Sequence, residues 1–155
     1  MEAILFKGKF EIITLPNFKP KSEKLYEFIT KFLNNKNIKV ISLDTFPKKN
    51  IKDYLTKDTN LLIGHSQGSD EILKFCNREQ YPNIKGIFLL DPKQESKDFW
   101  NDYRGNKILL TTKMGNTQNY KGFKENICLL DDHYFNNSFN EIEKQLNLFL
   151  KNIKS

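Results

Sequence analysis

Apolar positions along the chain recur at two spacings, every second residue and every third or fourth, and the two alternate from one segment to the next. Glu2 to Phe6 and Phe10 to Leu15 are β-prone pieces separated by Lys7-Gly8-Lys9, readable as a hairpin or as one bulged strand. Pro16 and Pro20 make the stretch between them a loop. From Ser22, a candidate cap, to about Asn34 the residues Leu25, Ile29, Phe32 and Leu33 fall on one helical face, and Asn34-Asn35-Lys36-Asn37 marks the end. Ile38 to Leu43 reads as a strand, and Lys48 to Thr56 as a short helix or irregular crossing. Thr59 to Ile63 is a strand and Ser69 to Arg78 a helix burying Ile72, Leu73 and Cys76. Ile84 to Leu90 is apolar on both faces, which marks a strand covered on two sides. Glu95 to Tyr103 suggests a brief helix, and Lys107 to Thr111 a second covered strand. Lys113 to Phe123 is a polar loop, and Asn126 to Leu130 a further strand. Phe139, Ile142, Leu146, Phe149, Leu150 and Ile153 then line the most regular helix, where Ser138 and Glu141 have capping-box spacing.

Short strands alternating with helices predict an α/β fold, a three-layer α/β/α sandwich on a mostly parallel sheet. In such sheets ligand-binding loops gather at the carboxyl ends of the strands. Four polar clusters fall at those ends: Pro16-Asn17-Phe18, Gly64 to Gly68, Asp91, and Asp131-Asp132-His133.

Composition narrows the class without changing the architecture. With 155 residues, 38% of them hydrophobic and 13% aromatic, residues 1–155 are expected to form a single globular domain. The net charge of +6 comes almost wholly from lysines scattered through every segment, with Arg only at 78 and 104. Groove-reading proteins favour Arg and concentrate charge on one stripe, so no nucleic acid is expected as a partner. The chain opens Met1-Glu2-Ala3 without a basic then apolar leader, and no run is long enough for a membrane span, which leads to an expected cytoplasmic location. Cys76 and Cys128 both sit beside apolar neighbours and are read as buried free thiols. His65 and His133 are the only histidines, with no ligand spacing around them, so neither a metal nor a cofactor is expected.

The stretch that carries chemistry is Gly64-His65-Ser66-Gln67-Gly68, at the junction of a predicted strand and a predicted helix. A serine held in so sharp a bend needs almost no side chain two positions before and after it, and glycine stands at both places. The bend lifts the hydroxyl clear of the sheet and sets the first helix amides beneath any negative charge that develops on a bound carbonyl.

With Asp132-His133-Tyr134-Phe135 after the last strand, the chain resembles the α/β-hydrolase fold family in a minimal, lidless form, close to small esterases and dienelactone-hydrolase-like members. The resemblance covers nearly the whole chain in element order, with serine first and histidine last. It implies Ser66 as nucleophile, His133 as general base, and the Gln67 amide in the oxyanion hole. The second oxyanion donor would be Asn17 or Phe18 if Phe10 to Leu15 is the matching strand, or Gly8 or Lys9 if Ala3 to Phe6 is; the first is favoured because a helix follows. His65 is read as a supporting residue that packs or hydrogen-bonds. The acid departs from the family pattern: the loop after Lys107 to Thr111 holds no carboxylate before Glu125, leaving Asn116 as a neutral orienter or Asp91, one strand earlier, as the acid. Asp91 is the choice, against the plainer reading of a turn residue before Pro92. Asp131 and Asp132 are read as loop caps.

The expected function is a serine esterase or thioesterase acting through an acyl-enzyme on a small-molecule ester or thioester, with Phe18, Phe46, Tyr134 and Phe135 as candidates either to line the acyl side or simply to cap the core. The alternative is a catalytically weak or inactive α/β-hydrolase-fold protein that serves as a binding or interaction module. Oligomeric state is not readable from the sequence.

Overall fold

The computed structural model describes residues 1–8, 22–44, 50–78, 81–92, 103, 105–112 and 126–154. They form β1 (Glu2–Phe6), α1 (Glu23–Asn35), β2 (Lys39–Leu43), a one-turn 3₁₀ segment (Ile51–Tyr54), β3 (Thr59–His65), α2 (Gln67–Arg78), β4 (Gly86–Leu90), β5 (Asn106–Thr112), β6 (Asn126–Leu129) and α3 (Phe139–Lys154). The six strands make one sheet in the order β2-β1-β3-β4-β5-β6, and every pairing is parallel. The expected strand Phe10 to Leu15, most of the expected helix Glu95 to Tyr103, and Asn17, Phe18, Phe46 and Asn116 lie outside the described residues.

Strand alternation divides the core in two. Ala3, Leu5, Leu61, Ile63, Phe88, Leu90, Ile108 and Leu110 point to the face covered by α1 and α3, where they meet Leu25, Ile29, Leu33, Ile142, Leu146 and Phe149. Ile4, Phe6, Leu43, Leu62, Ile87, Leu89 and Leu109 point to the opposite face, against Ile72, Leu73 and Cys76 of α2. The chain is thus a three-layer α/β/α sandwich, as the double-sided apolar runs at Ile84 to Leu90 and Lys107 to Thr111 require. On the α3 side the sheet comes very close: a Cβ at Gly86 would lie 2.6 Å from Ile153 Cδ1 and Phe149 Cζ.

Helix ends differ in detail from the sequence expectation. Ser22 stands at the N-cap of α1 but its side chain makes no capping bond, because its backbone is already helical. The C-terminus closes as a Schellman motif, with Asn37 at φ 61°, its amide donating to Asn34 O and the Ile38 amide to Leu33 O. Ahead of α3, the hydroxyl of Ser138 donates to Asp131 Oδ2 at 2.6 Å and Glu141 accepts from Gln145, so both side chains of the expected capping box are turned to other partners. Cys76 is buried as expected, whereas Cys128 is exposed on edge strand β6, which has no neighbour on its outer side among the described strands.

No helix among the described residues is long and apolar enough to cross a membrane.

Candidate active site

Ser66 follows β3 directly and has φ 55°, a left-handed backbone that a side-chain-bearing residue adopts only when its surroundings impose it. Several contacts impose it. The Ser66 amide still donates to Leu90 O at 2.8 Å, prolonging the β3–β4 ladder by one residue, while the Ser66 carbonyl already accepts from the Ser69 amide at 3.0 Å as the first helical bond of α2. A single residue must therefore serve strand and helix at once. The glycines on either side make the reversal possible: a Cβ at Gly64 would lie 2.7 Å from Ser69 N and Cα, and one at Gly68 only 1.9 Å from Phe6 O. Helix α2 begins at Gln67, two residues earlier than its apolar periodicity suggests, so the Gln67 amide leads the helix and has no intrahelical acceptor.

Asp91 repeats the device one strand over. Its amide donates to Leu110 O at 2.8 Å, and its backbone then turns at φ 44°. The side chain, completely buried, is gripped on both oxygens: Oδ1 accepts from the Thr112 amide at 3.0 Å and Oδ2 from the Thr112 hydroxyl at 2.6 Å. Oδ2 also accepts from His133 Nδ1 at 2.7 Å. Among the described residues three donors and no acceptor meet the two oxygens. A turn-forming Asp has no need of them.

His133 is carried on a loop built around two carboxylates. Asp131 accepts from the amides of Asp132 and Asn137 and from the Ser138 hydroxyl; Asp132 accepts from the Tyr134 amide. Burial of the Asp131 carboxyl favours its neutral form, but the bonds from Ser138, Asp132 and Asn137 outweigh that and hold it below the usual aspartate range. Both residues thus act as the loop caps they resemble in sequence. Phe135, at φ 58° and fully buried, anchors the loop in the α1–α3 core. It therefore does not line an acyl site, whereas Tyr134 packs edge-on to the His133 ring at 5.5 Å.

His65 obeys the alternation of β3: like Leu61 and Ile63 it points to the α1–α3 face, beneath the rim. Its Nδ1 meets Tyr26 Oη at 2.8 Å, its Nε2 donates to the carbonyl of His133 at 2.8 Å, and the two imidazoles lie 4.8 Å apart. The ends of β3, β4 and the loop after β6 thereby come together at one rim. No hydrogen bond joins the Ser66 hydroxyl to His133 among the described residues.

Residues 7 and 8, just past β1, also reach the rim. Gly8 lies against Ser66, a Cβ on it falling 3.1 Å from Ser66 Cβ, and its amide donates to Tyr26 Oη at 2.8 Å. β1 lies beside β3, and the Gly8 amide just beyond it donates to Tyr26; the other candidates for a second oxyanion donor, Lys9, Asn17 and Phe18, lie outside the described residues.

Three residues of the site carried no assignment in the sequence: Thr112, Tyr26 and Ser69, whose hydroxyl donates to Leu90 O at 3.1 Å and accepts its amide at 3.2 Å. Thr112 alone had a legible signal, as a polar residue at the carboxyl end of a covered strand.

Neither a family model nor a curated protein matches the chain. Among solved structures, the Francisella virulence factor BioJ is similar over 95% of this chain and 77% of its own, with a TM-score of 0.53 and 14% identity. At that identity the likeness is one of fold. The fold in question is the six-stranded parallel α/β sandwich described above.

Proposed function

We propose that the protein is a serine hydrolase that cleaves a carboxylic ester or thioester through an acyl-enzyme on Ser66. The observation that carries the reading is the buried Asp91 carboxylate, hydrogen-bonded at 2.7 Å to Nδ1 of a histidine at the rim where Ser66 is held at φ 55°. Asp91 fixes the Nδ1–H tautomer of His133, which leaves Nε2 as a base. His133 takes the Ser66 proton as Oγ attacks the acyl carbonyl, and the charge on the resulting oxyanion is met by the Gln67 amide and the positive end of α2. Collapse of the tetrahedral intermediate breaks the acyl C–O or C–S bond, with His133 returning its proton to the leaving alcohol or thiol. Water, deprotonated by the same imidazole, then releases the acid and restores Ser66.

An inactive binding module would need no carboxylate on its histidine, and the contact of Asp91 with His133 supports the hydrolase reading over it. Asn116 as orienter is likewise not needed while Asp91 occupies Nδ1. The test is covalent: a fluorophosphonate probe should label the wild-type protein at Ser66, located by peptide mass spectrometry, and should fail on Ser66→Ala. Absence of label on the folded wild type, or equal labelling of the variant, would sink the proposal.

A further inference from the structure

A backbone carbonyl can only accept a hydrogen bond, so the 2.8 Å contact between His65 Nε2 and the His133 carbonyl requires the proton on Nε2. In the neutral ring Nδ1 is then an acceptor, and the hydroxyl of Tyr26, 2.8 Å away, must donate to it. That hydroxyl in turn accepts from the Gly8 amide at 2.8 Å. The bonds therefore run one way: Gly8 N–H to Tyr26 Oη, Tyr26 O–H to His65 Nδ1, and His65 Nε2–H to the His133 carbonyl. The chain's two ends fall on the two loops that flank Ser66. Gly8 touches Ser66 on one side; His133 is the base on the other. His65 is 1% exposed, lies edge-on to Tyr26 at 5.5 Å and to Phe135 at 6.2 Å, and so has little room to rotate.

From this we infer that His65 and Tyr26 are positioning residues, a directional hydrogen-bonded strut that holds Gly8, just past β1, and the His133 loop in register about Ser66. Asp91 fixes the His133 ring from its Nδ1, and the strut fixes the backbone that carries that ring. The inference rests on the serine-hydrolase reading for its consequence in rate, but the strut itself is a claim about proton positions and can be tested apart from activity.

With only two histidines in the chain, ring ¹⁵N labelling gives two imidazole spin systems, assigned by His133→Ala. The expected spectrum at neutral pH shows His65 as the neutral Nε2–H tautomer. In Tyr26→Phe, which keeps the ring and loses the hydroxyl, the His133 ring signals should shift and phosphonylation of Ser66 should slow by about tenfold, the equivalent of one lost hydrogen bond. On a hydrolysed p-nitrophenyl ester kcat should carry the loss with KM unchanged, because Tyr26 stands behind the reacting atoms. His65→Gln, whose amide can reach the Nε2 position and still donate to the His133 carbonyl, should keep more activity than His65→Asn, whose amide reaches only the Nδ1 position. An Nδ1–H tautomer at His65, His133 signals unmoved in Tyr26→Phe, or His65→Asn equal to or better than His65→Gln would overturn the strut. If wild-type Ser66 takes no probe, the hydrolase reading falls and the tautomer and the His133 shifts decide the strut alone. Tyr26 is only partly buried, so its variant carries the test if the His65 variants do not fold.

Discussion

Replacing Asp91 by Asn exchanges one oxygen for an NH₂ group in a pocket made of donors. The carboxylate accepts from the Thr112 amide, the Thr112 hydroxyl and His133 Nδ1, at 3.0, 2.6 and 2.7 Å. If the new NH₂ takes the Oδ1 side it confronts the fixed Thr112 amide, stranding a buried donor at a cost of about 1–3 kcal/mol. If it takes the Oδ2 side, the Thr112 hydroxyl can rotate, but His133 must move its proton to Nε2 and can no longer receive the one from Ser66. The orientation that preserves the working tautomer is thus the costlier one, populated about one time in 5 to one in 150. Even there no charge faces the imidazolium, so kcat should fall by about 10²–10⁴, the upper end being the loss that the same exchange causes in the serine-protease triad. Thr112→Val removes only the hydroxyl and keeps the amide, and should cost about tenfold. Both variants are to be compared with wild type in p-nitrophenyl ester hydrolysis and fluorophosphonate labelling rates, with circular dichroism melts to confirm folding. An Asp91→Asn protein that is folded and within about threefold of wild type would refute the assignment of Asp91, since the tautomer argument allows no such leniency.

Gly68→Ala places a methyl 1.9 Å from the Phe6 carbonyl, so either α2 moves off β1 or the fold loses about 1–3 kcal/mol or more, read as a lowered melting temperature together with loss of Ser66 labelling. In native protein Ellman's reagent should titrate exposed Cys128 quickly and reach Cys76, whose thiol burial pushes up to about 12, only on unfolding; two fast thiols would contradict the packing of α2. Asp131 has a lowered folded pKa, so its stabilisation is complete above the unfolded aspartate value of about 3.9 and is lost as pH falls through the folded one. Thermal melts of Asp131→Asn and wild type should accordingly differ near neutrality and begin to converge only as pH falls below about 4, and parallel curves throughout would deny that linkage.

Local patterning determined the layers. The double-sided runs at Ile84 to Leu90 and Lys107 to Thr111 could be nothing but central strands, the heptad-like face of Phe139 to Ile153 nothing but a packed helix, and Gly64 and Gly68 around Ser66 declared a reversal whose tightness the structure measures at 2.7 and 1.9 Å. Such features are legible because each depends on residues within a few positions of one another. The side-chain identities of Ser66, His133 and Asp91 were legible too, as polar residues at strand ends. Their mutual arrangement was not. Whether Asp91 served a turn or a histidine depended on β4 lying beside β5, which puts Thr112 beneath its carboxyl, and on the loop after β6 folding back across that edge. The direction of His65 followed from strand alternation, but its partners came from α1 and the His133 loop, 39 and 68 residues distant. Cys128, apolar in its local company, is exposed on β6, which stands last in the order of the described strands. Sequence fixes what a residue can do through bonds to near neighbours; which distant donors meet it is set by how the sheet orders its strands.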